Sequence, residues 1–243
     1  MVNIIARYED HLTHVKNASA NTVSSYMRDL RQYASYLETR GISVLDADQS
    51  VVSEYALWLH DAGKSPATIS RSLASLKSLY LFAMAEDEIE VNPVHNIKVE
   101  KAEKKLPQIL SGKEVELLLD QPKPNDLKGC RDKAMLEVLY ATGIRVSELI
   151  GLNVDDVSLT GGFLRCASGE KLRLIPLYPE AVSVLRDYIE NVRPSMVAAP
   201  GERSLFVNVS GERMSRQGLW KIIKYYQEKA HIDKEITPHT LRH

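Results

Sequence analysis

Ala141-Thr142-Gly143-Ile144-Arg145-Val146-Ser147-Glu148-Leu149 reads as the end of one helix, a stop, and the first turn of another. A helical stretch from about Asp132 to Thr142 meets Gly143, a residue that readily takes the left-handed conformation closing a helix. Arg145 lies just past that stop, and Val146 to Ile150 starts a new helical turn. The arginine is therefore placed to reach into a cleft rather than along a helix surface.

A second cationic stretch is Thr237-Pro238-His239-Thr240-Leu241-Arg242-His243. Thr237 suits an N-cap and Pro238 the first helical position, where its missing N–H is harmless. Residues three and four apart share a helix face, so His239, Arg242 and His243 would project together from an N-terminus that favours anions. A phosphate fits there. Taken alone, the heptad is equally well a capped surface helix with solvated histidines.

Between these stretches, from Gly162 to Leu177, the pattern becomes alternation. Leu164 and Cys166 precede a Ser168-Gly169 turn, and Leu172, Leu174 and Pro176 follow it, which predicts a β-hairpin. Lys171 and Arg173 fall on the face opposite Leu172 and Leu174. Lys171 is close enough to the turn for its amine to swing over a ligand. Ser111-Gly112-Lys113-Glu114 is a capping-box arrangement opening a helix through Leu119. Pro179 opens a helix carrying Val182, Leu185 and Ile189, Leu205 to Val209 suggests a short strand, and Ser215 caps a helix with Trp220, Ile223 and Tyr226. Residues 108–243 thus read as a mixed α/β domain with helices dominant.

From Ile4 to about Val91 the reading is four or five amphipathic helices and no strand. Tyr26, Leu30, Tyr33 and Leu37 form one apolar stripe, and Ile69, Leu73, Leu76, Tyr80 and Ala83 another. Asn21, Arg28 and Arg31 lie off the first stripe; Ser65, Thr68, Arg71 and Lys77 lie off the second. Such faces suit phosphate contact or ordinary solvated surface. Lys98 to Pro107 is charged, poor in large apolar residues and closed by proline, as expected of a linker. The expected organisation is a helical domain over 1–97, a linker over 98–107 and a second domain over 108–243, the whole mainly α with a small β-sheet.

Composition narrows the classes. The 243 residues, 44% of them hydrophobic, permit two cores. Cys130 and Cys166 have neither metal-ligand spacing nor disulfide density, so both are expected to be buried, reduced thiols. The N-terminal residues lack a cationic signal-peptide head and no apolar run would span a bilayer, which predicts a soluble cytoplasmic protein. The net charge of −1 is not that of a strongly basic nucleic-acid binder, so any DNA site must be a local patch.

The Ala-Thr-Gly-Ile-Arg block, the basic hairpin and the His-x-x-Arg block occur in that order after a small helical domain. This arrangement resembles the tyrosine recombinases of the phage-integrase family, most closely the Xer type, along nearly the whole chain. The resemblance implies an all-helical core-binding domain and a mixed α/β catalytic domain clamped about duplex DNA. Two guanidinium forks, Arg145 and Arg242, would hold the charge that develops on a phosphodiester under attack. His239 would be general acid/base or phosphate ligand, Lys171 proton donor to the leaving 5′-oxygen, and Glu148 and His243 braces for the site. A tyrosine attacks the phosphorus in such enzymes to give a 3′-phosphotyrosyl link, with no metal, ATP or other cofactor. Thr68, Arg71 and Lys77 would face a DNA groove and Lys101, Lys104 and Lys105 the backbone, and the full-length enzyme would assemble as a tetramer on paired sites.

Two departures from the family pattern stand out. Where the family carries Gly-Lys-Gly on the hairpin, this chain has Cys166-Ala167-Ser168-Gly169-Glu170-Lys171; counted back from Pro176, Lys171 matches a second lysine and Ser168 falls where the catalytic one would be. The family's nucleophile follows the His-x-x-Arg helix, and none of the eleven tyrosines lies beyond His243. The expectation is a truncated enzyme, monomeric in solution, that binds DNA without cleaving it. The competing readings are an integrase of a mobile element and a non-cleaving DNA-binding module.

Overall fold

A computed structural model describes residues 4–97, 109–168, 171–234, 236 and 240. The chain divides into two compact units, Met1–Lys105 and Leu106–His243. Residues 98–108, including the whole of the expected linker, lie outside the described residues, as do Gly169 and Glu170.

The first unit is helical. α1 (Ile4–Asp10) runs on through a π turn to Val15, followed by α2 (Ala20–Glu38), α3 (Gln49–Asp61) and α4 (Pro66–Ala85). Each of the last three starts at a side-chain cap: Ser19, Asp48 and Ser65 accept hydrogen bonds from the backbone N–H of Thr22, Val51 and Thr68. Both apolar stripes face the core. Leu30, Tyr33, Leu37, Leu76 and Tyr80 are buried together with Tyr55 and Leu59 from α3, while Tyr26 is half-buried. Large side chains of this kind stabilise the folded state by about 1.5–3 kcal/mol each. The Tyr80 hydroxyl donates to the Val44 carbonyl (2.9 Å) and shares a hydrogen bond with Tyr33 (2.9 Å), which satisfies these two phenols.

The second unit is built on α6 (Leu127–Thr142). Ala134, Met135, Leu136, Val138 and Leu139 are inaccessible, as befits a central helix that is apolar around much of its circumference. Around it lie α5 (Gly112–Leu119), α7 (Val146–Gly151), α8 (Pro179–Asp187, extended by a π turn through Val192) and α9 (Arg216–Lys229). Ser111 and Glu114 form the expected capping box at the start of α5. The sheet is antiparallel in the order β1 (Val157–Ser158), β2 (Phe163–Ser168) and β3 (Lys171–Pro176). Buried Asp132 takes an Arg131 guanidinium (2.7 Å) and the Tyr226 hydroxyl (3.0 Å), tying α6 to α9.

The hairpin's register settles which of its faces packs, and three expectations need correction. β2 and β3 pair with Leu164 opposite Ile175, Cys166 opposite Arg173 and Ala167 opposite Leu172. That register makes Leu164, Cys166 and Ile175 the packed face, leaving Leu172 and Leu174 on the outer one, 63% and 62% exposed. Leu205 to Val209 is not a strand: Leu205, Phe206 and Val207 are buried, but the segment makes only isolated bridges, Ser204 with Asn153 and Val207 with Arg213. A tight turn closed by the Asn208 side chain, which accepts from the N–H groups of Ser210 and Glu212, ends the pairing. Cys166 is buried and free as expected, whereas Cys130 is only half-buried. Finally, α6 begins five residues before Asp132, because Asp126 caps it through the Gly129 N–H (2.6 Å).

Gly129 owes its identity to contact. A Cβ there would lie 1.9 Å from the Lys123 carbonyl oxygen, which is backbone and unable to yield cheaply. Gly129→Ala should therefore destabilise by about 1–3 kcal/mol despite alanine's better helix propensity, as read by urea unfolding. An unchanged midpoint would refute this account of the glycine.

Candidate active site

Gly143 closes α6 in the left-handed region (φ 58°, ψ 20°), its N–H donating to the Leu139 carbonyl (2.9 Å). The chain then turns through buried Ile144, and α7 follows with Leu149 inaccessible. Arg145 is thus an extended residue (φ −70°, ψ 152°) held between two core anchors. Its backbone N–H donates to Glu148 Oε2 (2.7 Å) and its Nη1 to Glu148 Oε1 (3.2 Å). The Glu148 side chain is 7% exposed and that of Arg145 56% exposed, so the carboxylate is buried and the guanidinium stands at the solvent edge.

The same carboxylate has a second cation. Arg173, on the packed face of β3, donates from Nη2 to Glu148 Oε1 (2.6 Å) and to Cys166 Sγ (3.6 Å). Burial pushes the Glu148 carboxyl up, but the Arg145 N–H and the charges of Arg173 and Arg145 outweigh it and hold the group below the usual carboxylate range. Burial and Glu148 push the Cys166 thiol up, with Arg173 offsetting only part, which is the environment of an inert thiol rather than a nucleophile.

Lys171 is exposed at the start of β3, paired across the turn with Ser168. It lies two residues from Arg173 and so on the same strand face, about 7 Å nearer the hairpin tip. His239, Arg242 and His243 lie outside the described residues, as do Thr237 and Pro238; Thr240 is described and is buried.

In the first unit, the Thr68 and Ser65 hydroxyls share a hydrogen bond (2.9 Å) at the cap of α4. Arg71, one turn on, is held by buried Asp29: Nε donates to Oδ2 (3.0 Å) and Nη2 to Oδ1 (2.7 Å), with the Ser75 hydroxyl also donating to Oδ2 (3.0 Å). Lys77 is exposed on the same helix but six residues further, about 120° around from Arg71. The structure therefore brings Thr68 and Arg71 together and leaves Lys77 apart. Lys101, Lys104 and Lys105 lie outside the described residues.

Sequence reasoning missed the parts of Arg173 and Asp29. Arg173 shows itself only through strand register, by standing opposite Cys166. Asp29 was detectable in principle, as an acid inside the apolar stripe that Tyr26, Leu30 and Tyr33 define.

Comparison with known proteins agrees with this architecture. Residues 108–243 match the model of the Phage integrase family, and residues 5–87 that of the phage integrase N-terminal SAM-like domain. The tyrosine recombinase XerD of Staphylococcus epidermidis is 42% identical over 245 residues, covering 100% of this chain and 83% of the relative. XerD of Staphylococcus aureus is 40% identical over 245 residues with the same coverage. Among solved structures, the Tn1549 transposon integrase in complex with transposon right end DNA superposes with a TM-score of 0.77 at 22% identity, covering 100% of this chain and 84% of that one. The XerH site-specific recombinase bound to palindromic difH gives 0.74 at 21%, covering 98% and 71%. These two likenesses speak for the fold. With a family model spanning more than half of its length and a XerD relative matched along all of it, the chain belongs to the phage integrase family of tyrosine recombinases.

Proposed function

We propose that the protein is a Xer-like site-specific DNA recombinase that breaks and rejoins strands through a 3′-phosphotyrosyl intermediate. One observation carries most of the weight: Arg145, a permanent cation at the solvent edge, braced from beneath by a buried carboxylate. A phosphodiester under attack gathers charge on its non-bridging oxygens, and a guanidinium already oriented stabilises that charge without reorganising or losing a proton. Arg242 supplies the second fork and His239 an acid/base or a further phosphate ligand. Lys171, with an exposed amine near the hairpin tip, protonates the departing 5′-oxygen. Conserving the bond energy in the phosphotyrosyl link removes any need for ATP or metal.

The nucleophile is not among the eleven tyrosines of this sequence. Seven are buried. The Tyr226 hydroxyl is committed to Asp132 and that of Tyr178 to Glu137, and burial together with those carboxylates pushes both phenols up, away from phenolate. Tyr140 and Tyr225 are exposed and Tyr26 half-buried, and on this reading none of the three serves as nucleophile, so that the 243-residue polypeptide binds DNA without forming a covalent adduct. Thr68, Arg71 and Lys77 meet the duplex from the first domain (1–97), and Lys101, Lys104 and Lys105 from the linker (98–107). The DNA partner carries paired recombination sites, the full enzyme acts there as a tetramer, and its setting is the cytoplasm.

Two measurements test this reading. Affinity for a duplex carrying the target site, selected from a random pool, should fall by orders of magnitude between about 50 and about 200 mM salt, because bound cations displace condensed counterions. On a nicked suicide substrate the same polypeptide should be retained without a covalent product. Salt-independent binding would sink the DNA reading, and an adduct mapped to any of the eleven tyrosines would sink the account of the nucleophile.

The brace has its own pH signature. Glu148 has a native pKa below its unfolded value near 4.5, so its ionised form contributes stability above that pH and loses it as the pH falls through the native value. Glu148→Gln should be less stable than wild type by about 1–3 kcal/mol at neutral pH, with the gap closing under acid conditions. Urea unfolding of both proteins across that range decides it: a gap that stays constant would mean that Glu148's charge does not hold the site.

A further inference from the structure

We propose that Arg173 grips the same DNA phosphate as Arg145, with Glu148 as the shared brace of both. This rests on the assignment of Arg145 to a backbone phosphate made above. The strand register aims Arg173 at α7, where its Nη2 meets the Glu148 oxygen that also receives Arg145 Nη1. Two permanent cations over one carboxylate leave a positive charge uncompensated, and no other carboxylate among the described residues pairs with either arginine. Both side chains reach solvent, 56% exposed for Arg145 and 46% for Arg173.

Guanidinium groups converging on one oxygen repel each other, and an anion lying across both relieves that repulsion. A phosphodiester has the matching charge and two non-bridging oxygens to share. Among the described residues only Nη2 of Arg173 is engaged, so its remaining N–H groups stay available for that grip. The buried carboxylate remains ionised, held low by its three donors, and keeps the two forks in place. Arg173 then touches substrate, as a fixed charge beside the titratable amine of Lys171.

The test is a charge cycle on DNA binding, which requires no cleavage. A single methylphosphonate, which lacks the phosphate's charge, is stepped along the target duplex. For wild type one position should weaken binding about tenfold, the scale of one charge-assisted hydrogen bond. Arg173→Gln should weaken binding to unmodified DNA about as much, yet lose little more when that position is neutralised, the non-additivity expected of direct partners. Should Arg173→Gln fold poorly, the wild-type protein serves: the Arg173 Nε–H resonance, assigned by its loss in Arg173→Lys, should shift on binding phosphate DNA and not on binding the methylphosphonate duplex. Equal sensitivity of wild type and Arg173→Gln to neutralisation, or a resonance indifferent to it, overturns the inference. A parallel cycle with Arg145→Ala separates the two readings: coupling at Arg145 without coupling at Arg173 sinks this inference alone, whereas no sensitive position in wild type sinks the phosphate site itself.

Discussion

Glu148 sits beneath two guanidinium groups, and much of the second unit is arranged so that this burial is tolerable. A carboxylate out of water is destabilising unless its lone pairs and charge are fully met. Here one oxygen takes the Arg145 backbone N–H and the other takes Arg145 and Arg173. The first requirement fixes where α7 begins, and so requires the left-handed stop at Gly143 and the anchors Ile144 and Leu149. The second fixes the hairpin register, since a slip of one residue would turn Arg173 to the outer face. The interaction is also asymmetric. The shorter contact belongs to Arg173 and the longer to Arg145, the more exposed of the two and the one with more freedom to turn toward a ligand.

The first unit repeats the device in simpler form. Asp29 on α2 is buried, and its partners Arg71 and Ser75 both lie on α4. The pair fastens two helices that share the Tyr33–Tyr80 core, and it fixes the direction in which Arg71 presents its remaining donors. With Nε and Nη2 turned inward, Nη1 is left to face outward. On the reading of α4 as the DNA-facing helix, Arg71 offers a directed contact rather than a roving one, the kind of preorganisation that favours selectivity over raw attraction.

What the sequence revealed depended on how local the deciding physics is. Helical stripes such as Ile69, Leu73, Leu76 and Tyr80 were legible because the period of an α-helix is intrinsic to the chain and needs no partner. Capping by Ser111 and Glu114, the stop at Gly143 and the position of Arg145 just past it were legible for the same reason, whereas the bracing part of Glu148 came only from the family resemblance. The hairpin was legible as a hairpin but not in its facing. β3 alternates leucines with cations, and either set could have packed inward; Leu164 and Cys166 on β2 decided, through register, in favour of the cations and Ile175. The segment from Leu205 looked like a strand because it is apolar and buried, properties that an extended loop with only isolated bridges shares. The start of α6 was placed near Asp132, whereas the Asp126 cap, and a glycine at 129 that lets the Lys123 carbonyl pass, start it at Leu127.

The outer leucines follow from the same choice. Once Arg173 turns inward to Glu148, strict alternation forces Leu172 and Leu174 outward, an unfavourable exposure that accompanies the second cation on the buried carboxylate. The arrangement also orders the hairpin cations by chemistry. A guanidinium that must not move is set in the paired body of β3, where ladder hydrogen bonds fix it. The amine proposed above to deliver a proton stands at the start of β3, opposite Ser168, where a flexible stem can carry it. Exchanging them would place a group that never gives up its proton where transfer is needed, and a titratable one where constant charge is needed. Within the proposed reaction, the sequence Lys171-Leu172-Arg173 is a division of labour that the strand register enforces.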